Sequence, residues 1–201
     1  MAVNSKHGVK RWAFVLGFLF GTPALLIWLS QPFLDMSHAT YLTAAKDYPG
    51  AIKALNRAIA FNGLLSAAYV KRGYCWEQLH QSEKARADYN RAIATNPNDW
   101  TAFNNRASLT QATDAKQALE DATAAVNLCA DCPQPYETRA GIYAETNDGA
   151  RALADLDKAI QLDPKTARTY ALRADVLKSM NRPDDAQKDE ERAAELGFVR
   201  K

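Results

Sequence analysis

Apolar residues recur at steps of three and four along most of the chain, from residue 32 onward. This spacing places apolar side chains on one face of a helix, so it predicts a series of amphipathic α-helices. Clusters of turn-forming residues interrupt the pattern, for example at residues 47–50, 147–149 and 181–183. The sequence therefore predicts an all-α fold of short helices joined by tight turns.

The helical pattern repeats every 33 or 34 residues and divides the chain into five units: 32–65, 66–99, 100–132, 133–166 and 167–201. The eighth residue of each unit is small, and the fourth is aromatic in units two to five. Small residues let two helices approach closely, and aromatic side chains fill the space beside them. These residues are Ala39, Gly73, Ala107, Ala140 and Ala174, with Tyr69, Phe103, Tyr136 and Tyr170. Each unit is expected to fold as a helical hairpin that stacks on the next.

The period, the small and aromatic positions, and Pro97 and Pro164 at the ends of second helices resemble the tetratricopeptide repeat (TPR). The resemblance implies an α-solenoid, a right-handed superhelix of about five TPR hairpins. The first unit departs from the pattern, since Asp35 stands at its aromatic position and Gly63 at its proline position. In this family, the first helices line a concave face that binds extended peptides or helices of partner proteins.

A charge correlation accompanies the repeat. The seventh residue of units two to five is arginine, and each of these units carries an aspartate just before the central packing position of its second helix. The first unit has His38 and Ala54 there, so it lacks both members. We predict structural ion pairs within the hairpins, and the alternative is solvated charges that share a repeat ancestry. The pairs are Arg72–Asp88, Arg106–Asp121, Arg139–Asp155 and Arg173–Asp189.

The N-terminal part has a different pattern. In residues 12–29 Thr22 is the only polar side chain. As a helix these 18 residues would span about 27 Å, close to the roughly 30 Å of a hydrocarbon core. The sequence predicts a transmembrane helix or signal anchor over residues 12–31, after a basic cytoplasmic leader at 1–11. A buried soluble helix is the alternative.

The charge distribution predicts the orientation of this segment. Lys6, Lys10 and Arg11 precede it, and the first 34 residues contain no acid. The positive-inside tendency keeps the N-terminus cytoplasmic, so we expect a single-pass membrane protein with an extracytoplasmic TPR domain, as in a bacterial periplasm. Signal cleavage after Ala39 is the alternative and would give a periplasmic or secreted module. Ala39 lies inside the first repeat, which favours an uncleaved anchor.

Composition and motifs indicate binding rather than catalysis. The chain from residue 35 onward has 22 basic and 23 acidic residues, so nucleic acid is not an expected partner. The full chain has no phosphate-binding glycine loop and neither G-x-S-x-G nor H-E-x-x-H, and its three histidines are scattered. We expect no enzymatic activity, no cofactor, no metal site and no small-molecule substrate.

Cys129 and Cys132 form the one suggestive motif, in the loop between units three and four. We expect a structural disulfide in an oxidising compartment, or otherwise inert thiols. A redox protein that uses this pair is the alternative function. Cys75 is interpreted as a packed helical residue.

The TPR resemblance also indicates where a protein or peptide partner would bind. The exposed first-helix positions are Lys71, Tyr74, Glu77, Gln78, Asn104, Asn105, Ser108, Gln111, Glu137, Arg168 and Asp175. The amides of Asn104 and Asn105 are suited to a peptide backbone, whereas the alternative for each residue is simple solvation of the face. Some members of the family bind the free C-terminus of a partner through a particular set of residues. This set is incomplete in the present sequence. We therefore expect a membrane-anchored scaffold or adaptor of the cell envelope.

Overall fold

The computed structural model describes residues 23–199, and these form ten α-helices without a strand. This confirms the all-α prediction for the described part of the chain. Except for the first, the helices are 11–14 residues long. They are α1 Pro23–Ala44, α2 Tyr48–Phe61, α3 Ser66–Gln78, α4 Ser82–Thr95, α5 Trp100–Thr110, α6 Ala115–Leu128, α7 Pro133–Glu145, α8 Gly149–Leu162, α9 Ala167–Ser179 and α10 Pro183–Glu195.

Successive helices pair as hairpins: α1 with α2, α3 with α4, α5 with α6, α7 with α8, and α9 with α10. The chain divides into two compact units, the first ending at Leu64 and the second beginning at Leu65. The described part of the first unit is the α1–α2 hairpin, and the second holds the other four hairpins. Each hairpin of the second unit lies within one of the predicted repeats, whereas α1 begins before the predicted first unit.

Four of the helices, α2, α5, α6 and α8, begin at an aspartate cap. Asp47, Asp114 and Asp148 accept a hydrogen bond from the backbone N–H three residues later, at 2.9–3.1 Å. Asp99 accepts from the N–H of Thr101 at 3.2 Å. A side-chain oxygen at this position satisfies a backbone donor that the first turn of a helix leaves unpaired. The caps therefore define where these helices begin.

The turn inside a hairpin uses one left-handed residue. Lys46, His80, Asn147 and Asn181 stand at equivalent positions and have φ of 56–60°. The third unit is one residue shorter, and its turn contains no residue of positive φ. There the backbone N–H of Asp114 bonds to the carbonyl of Thr110 at 2.7 Å. The missing residue of the third unit is thus the left-handed turn residue.

The first hairpin begins within the predicted membrane segment. Helix α1 starts at Pro23 and runs without a break to Ala44, through the predicted boundary between residues 31 and 32. The predicted leader 1–11 and residues 12–22 of the predicted span lie outside the described residues. No helix among the described residues is both long enough and apolar enough to cross a membrane. The domain limits at this end stay a prediction.

The core of the second unit is a row of small clusters between neighbouring helices. Ile142 of α7, for example, packs against Ala107, Ala118 and Ala122 of the preceding hairpin. The predicted small positions are buried, and a Cβ on Gly73 would lie 2.6 Å from Cε1 of Tyr89. Within the second unit, each hairpin therefore buries its apolar face against its neighbours in the chain, as expected for a repeat array.

Candidate functional site

Arginine and aspartate meet across each hairpin of the second unit. The guanidinium donates from Nε to one carboxylate oxygen and from Nη2 to the other, at 2.6–2.8 Å. The aspartates are buried and the arginines partly exposed. The structure thus brings together all the predicted pairs: Arg72–Asp88, Arg106–Asp121, Arg139–Asp155 and Arg173–Asp189. Two parallel charge-assisted bonds fix the separation and orientation of the two helices.

Each of these arginines also lies over the aromatic residue three positions before it. The guanidinium carbon is 5.5 Å from the ring centre of Tyr69 in α3 and 5.8 Å from that of Tyr136 in α7. The equivalent distances to Phe103 and Tyr170 are 5.9 and 5.8 Å. A cation within about 6 Å of a ring centre is attracted to its face. The fourth and seventh positions of the repeat are therefore physically coupled, which the sequence pattern alone did not reveal.

Two of the arginines bind a second hairpin as well. Nη1 of Arg106 donates to Asn90 Oδ1 at 2.6 Å, and Nη1 of Arg173 donates to Asp157 Oδ1 at 2.6 Å. Both acceptors stand on the second helix of the preceding hairpin. These bonds connect consecutive repeats, so the arginines stabilise the stack as well as the hairpin.

The acceptors stabilise the charge on Arg72, Arg139 and Arg173. Hydrogen bonding to Asp88 raises the pKa of Arg72, and hydrogen bonding to Asp155 raises that of Arg139, although burial opposes both shifts. The pKa of Arg173 is raised by its bond to Asp189, and Asp157 adds to the shift. The groups remain ionised, which suits a structural role rather than proton transfer.

The first helices of the second unit form one surface, because α3 contacts α5, α5 contacts α7, and α7 contacts α9. We call it the first-helix surface. Every predicted partner-binding residue stands on these helices or, in the case of Gln111, at the end of one. Tyr74, Gln78, Ser108 and Arg168 are exposed, whereas Lys71, Asn104, Asn105, Gln111 and Glu137 are partly buried.

A buried tyrosine organises one part of this surface. Tyr89, which is fully buried, donates its hydroxyl hydrogen to Glu77 Oε2 at 3.0 Å, and its oxygen accepts from the Asn105 side chain. Burial, reinforced by Glu77, raises the pKa of Tyr89, so the phenol stays neutral. Burial also raises the pKa of Glu77, and the bond from Tyr89 partly opposes that shift. The Asn105 amide is therefore held in place by a neutral hydroxyl.

Two predicted contact residues also bond to the next hairpin. Gln111 Nε2 donates to Glu145 Oε1 at 3.2 Å. Glu137 accepts a hydrogen bond from the hydroxyl of Thr169. Binding a partner through Gln111 or Glu137 would compete with these internal bonds.

Asn104 differs from its neighbours on the surface. Its Oδ1 is buried and has no hydrogen-bond partner among the described residues. A buried polar atom without a partner carries a desolvation cost and so favours any donor that can reach it. Sequence reasoning had selected Asn104 only for its amide chemistry.

An apolar cavity of about 170 Å³ opens between α7 and α9. Most of its lining was not selected from the sequence, because glycine and alanine positions carry no chemistry of their own. The lining residues are Ala140, Gly141, Ala144, Leu156, Leu172, Asp175, Val176 and Ser179. Asp175 is one of the first-helix positions that the sequence predicts to be exposed, and it is exposed.

A second cavity, of about 310 Å³, has a charged lining near the start of α10. Its charges pair with one another: Asp185 lies 2.6 Å from Arg182 and 3.3 Å from Lys188. The bond from Arg182, followed by that from Lys188, lowers the pKa of the Asp185 carboxyl. Internal pairing accounts for these charges without a ligand.

Cys129 and Cys132 are joined by a disulfide between α6 and α7. The hydroxyl of Tyr136 donates to the carbonyl oxygen of Ala130 inside this loop at 3.1 Å. Cys75 is a free, buried thiol in α3. Within residues 23–199 no group of three or more His, Cys, Asp or Glu side chains is placed to hold a metal ion.

Comparison with protein families identifies the repeat. A family model described as Tetratricopeptide repeat matches residues 66–99 and 133–166. These are the bounds of the second and fourth predicted units, so the predicted period is confirmed there. No curated protein sequence matches the chain.

Solved structures with the same fold cover most of the chain. A TPR protein of Thermus thermophilus is 18% identical, with a TM-score of 0.74 over 83% of this chain and 91% of that one. PilF of Pseudomonas aeruginosa is 14% identical, with a TM-score of 0.77 over 85% and 78%. YrrB, a TPR protein with an unusual peptide-binding site, is 15% identical, with a TM-score of 0.61 over 81% and 84%. The helical-hairpin fold of the described residues is therefore similar to the α-solenoid fold of TPR proteins.

Proposed function

We propose that this chain is a membrane-anchored TPR scaffold or adaptor of the cell envelope, which holds a segment of a partner protein on the first-helix surface. One observation carries the proposal: the first helices contact one another in sequence and present exposed aromatic, amide and basic side chains on a single surface. Tyr74, Gln78 and Arg168 are exposed there. Surfaces that combine aromatic anchors with hydrogen-bonding groups suit protein recognition.

The fold supports binding rather than catalysis. TPR hairpins are protein-interaction modules, and YrrB, which shares this fold, carries a peptide-binding site. The pKa of Tyr89 is raised mainly by burial and that of Arg173 mainly by its bond to Asp189, so the packing of the helices accounts for both shifts. The side-chain amide of Asn104 is the proposed contact for the backbone of a bound segment.

The membrane location rests on the sequence. Residues 12–31 supply the proposed anchor, and the basic residues of the leader orient it with the repeats outside the cytoplasm. In an oxidising compartment the disulfide between Cys129 and Cys132 would persist. A signal-cleaved periplasmic or secreted module with the same binding surface is the alternative.

Crosslinking followed by pull-down tests the binding surface. The full chain is compared with a Lys71→Ala, Asn104→Ala, Asn105→Ala variant, which should recover a specific partner at least about 10-fold less well, a loss of about 1.4 kcal/mol. The matched control replaces three exposed residues of α6, Lys116, Glu120 and Asn127, by alanine and should bind as the wild type does. Equal recovery by both variants would exclude the first-helix surface.

Topology and processing are tested separately. A phosphatase reporter fused after Lys201 should be active outside the cytoplasm, and washed membranes should retain a chain with an intact N-terminus. A chain that begins after Ala39 and is released as soluble protein would support the cleaved module instead. A Cys129→Ser, Cys132→Ser variant that still recovers the partner would exclude the redox alternative.

A further inference from the structure

The cavity between α7 and α9, which we call the apolar socket, reaches the interior of the stack. It is lined by the eight residues named above, and its volume is about 170 Å³. Leu156 and Val176 are buried, with exposed fractions of 1% and 5%, and belong to a core cluster together with Ala140. A side chain entering from the first-helix surface would therefore contact the core directly.

The socket is open because two positions of α7 carry almost no side chain. Gly141 is the ninth residue of its unit, where the two preceding units have Tyr74 and Ser108. A Cβ built on Gly141 would meet no atom within 4 Å. Ala144 is the twelfth residue, where those units have Glu77 and Gln111. Packing of the helices does not require a residue without a side chain at Gly141, so the opening there is not a by-product of close helix approach.

The contact between α5 and α7 is bridged by side chains at the positions that leave the socket open between α7 and α9. Between α5 and α7, Gln111 and Glu145 bond to each other across the two hairpins at 3.2 Å. The equivalent residues between α7 and α9 are Ala144 and Ser179. Ser179 donates its hydroxyl to the carbonyl of Val176 at 2.7 Å. A methyl group and a short serine side chain cannot form the bridge, so this junction stays uncovered.

The charge at the rim is negative. Of the eight lining residues, Asp175 carries the charge, and it is exposed. The volume is below the roughly 300–1,000 Å³ of sites that enclose a whole small molecule. The size suits one side chain, and the rim favours a cation beside it.

We propose that the apolar socket receives one aliphatic side chain of a partner peptide, and that a lysine or arginine next to it in the partner pairs with Asp175. The aliphatic group displaces water from the surface of Leu156, Leu172 and Val176. The basic group gives direction and selectivity, because a partner with an acid at that position meets like charge. This inference rests on the proposed function of the first-helix surface and specifies its partner chemistry.

A plugged variant tests the socket. Full-length protein in nanodiscs is panned against a phage-displayed library of random linear peptides, and the selected sequences are synthesised. Wild-type protein should select an aliphatic residue beside lysine or arginine. These peptides should bind Gly141→Leu at least about 10-fold more weakly, a difference of about 1.4 kcal/mol. Gln134→Leu adds the same side chain to α7 outside the socket lining and should bind as the wild type does.

The outcomes separate the two proposals. In a first outcome, selected peptides bind Gly141→Leu as well as wild type but bind the Lys71, Asn104, Asn105 alanine variant poorly. In that case the socket proposal is wrong, and the proposal that the first-helix surface binds a partner is supported. If selected peptides lose affinity only for Gly141→Leu, the socket is supported and the other surface residues are not needed. If no peptide is enriched, the socket and the binding of linear segments by this surface are both wrong.

A charge reversal tests the role of Asp175. Asp175→Lys should bind the selected peptides at least about 10-fold more weakly, and it should prefer versions in which the basic neighbour is replaced by glutamate. Asp131→Lys makes the same change of net charge at an exposed loop position and should leave the preference unchanged. If Asp175→Lys still prefers peptides with a basic neighbour, the proposal that Asp175 pairs with this basic residue is wrong.

Discussion

Arg57 donates both Nε and Nη2 to the same oxygen of Asp35, at 2.9 and 2.7 Å, and so joins the two helices of the first hairpin. Neither residue stands at the position that its counterpart has in the later Arg–Asp pairs, since Asp35 occupies the aromatic position of its unit. The side chain of Arg57 is 56% exposed, against 18% for Arg139. The first hairpin thus has a different and more solvated connection between its helices.

This difference predicts unequal costs for removing the acid. Asp155→Ala should lower the free energy of unfolding by about 3 kcal/mol, because it leaves the partly buried Arg139 without its acceptor. Asp35→Ala should lower it by about 0–1 kcal/mol, as for exposed pairs. Urea unfolding of the full chain measures both.

A double-mutant cycle is the control for this prediction. If Arg139 and Asp155 interact as the geometry indicates, the loss in the double alanine variant will be smaller than the sum of the single losses, by about 0.5–3 kcal/mol. Additive losses would show that the pair contributes nothing beyond its separate side chains.

Two glycines in first helices should respond oppositely to alanine. A Cβ at Gly73 would lie 2.6 Å from Cε1 of the fully buried Tyr89, so Gly73→Ala should cost about 1–3 kcal/mol by overpacking. A Cβ at Gly141 meets nothing within 4 Å. Gly141→Ala should therefore stabilise by about 0.5–1 kcal/mol, since alanine is the better helix former. Thermal and urea unfolding compare the two, and a loss in both variants would contradict the open socket.

The repeat architecture could be predicted from the sequence because each hairpin uses the same few positions for the same contacts. Small residues at the eighth position, aromatics at the fourth and the Arg–Asp pairs recur in register, so the pattern within one unit is checked by the others. The matched segments 66–99 and 133–166 have the bounds that this register predicts.

Contacts that depend on the placement of a second helix could not be predicted in the same way. The bond from Arg106 to Asn90 joins two repeats, so no single unit contains the information. The Asp35–Arg57 pair uses positions that are not charged together in the other units. The apolar socket lies where α7 carries no large side chain. The role of Gly141 in the socket depends on the position of α9 beside α7, which the sequence pattern of one repeat does not give.

The left-handed turn position offers a stability test. His80 has φ of 56° and Asn147 has φ of 59°, but asparagine tolerates this conformation better than most residues. His80→Gly should therefore stabilise the chain by about 0.5–1 kcal/mol, because it relieves more backbone strain than glycine costs in entropy. Asn147→Gly is the matched control and should change stability less. Equal gains would show that side-chain type does not matter at this turn.

The pH dependence of stability should report the buried environment of Glu77. Burial raises the pKa of its carboxyl in the folded chain, so the folded state binds more protons than the unfolded state just above the ordinary pKa of glutamate. The protonated Glu77 carboxyl therefore contributes its whole stabilisation below the unfolded-state pKa, and this contribution is lost as the pH rises through the folded-state pKa.

Glu77→Gln stays neutral and can still accept a hydrogen bond from Tyr89. It should be more stable than wild type at neutral pH, with the gap closing as the pH is lowered. Tyr89→Phe removes the bond that favours the carboxylate, so its stability should fall more steeply with rising pH. Unfolding free energies from acidic to neutral pH measure all three proteins, and a gap between Glu77→Gln and wild type that does not change with pH would contradict the assignment.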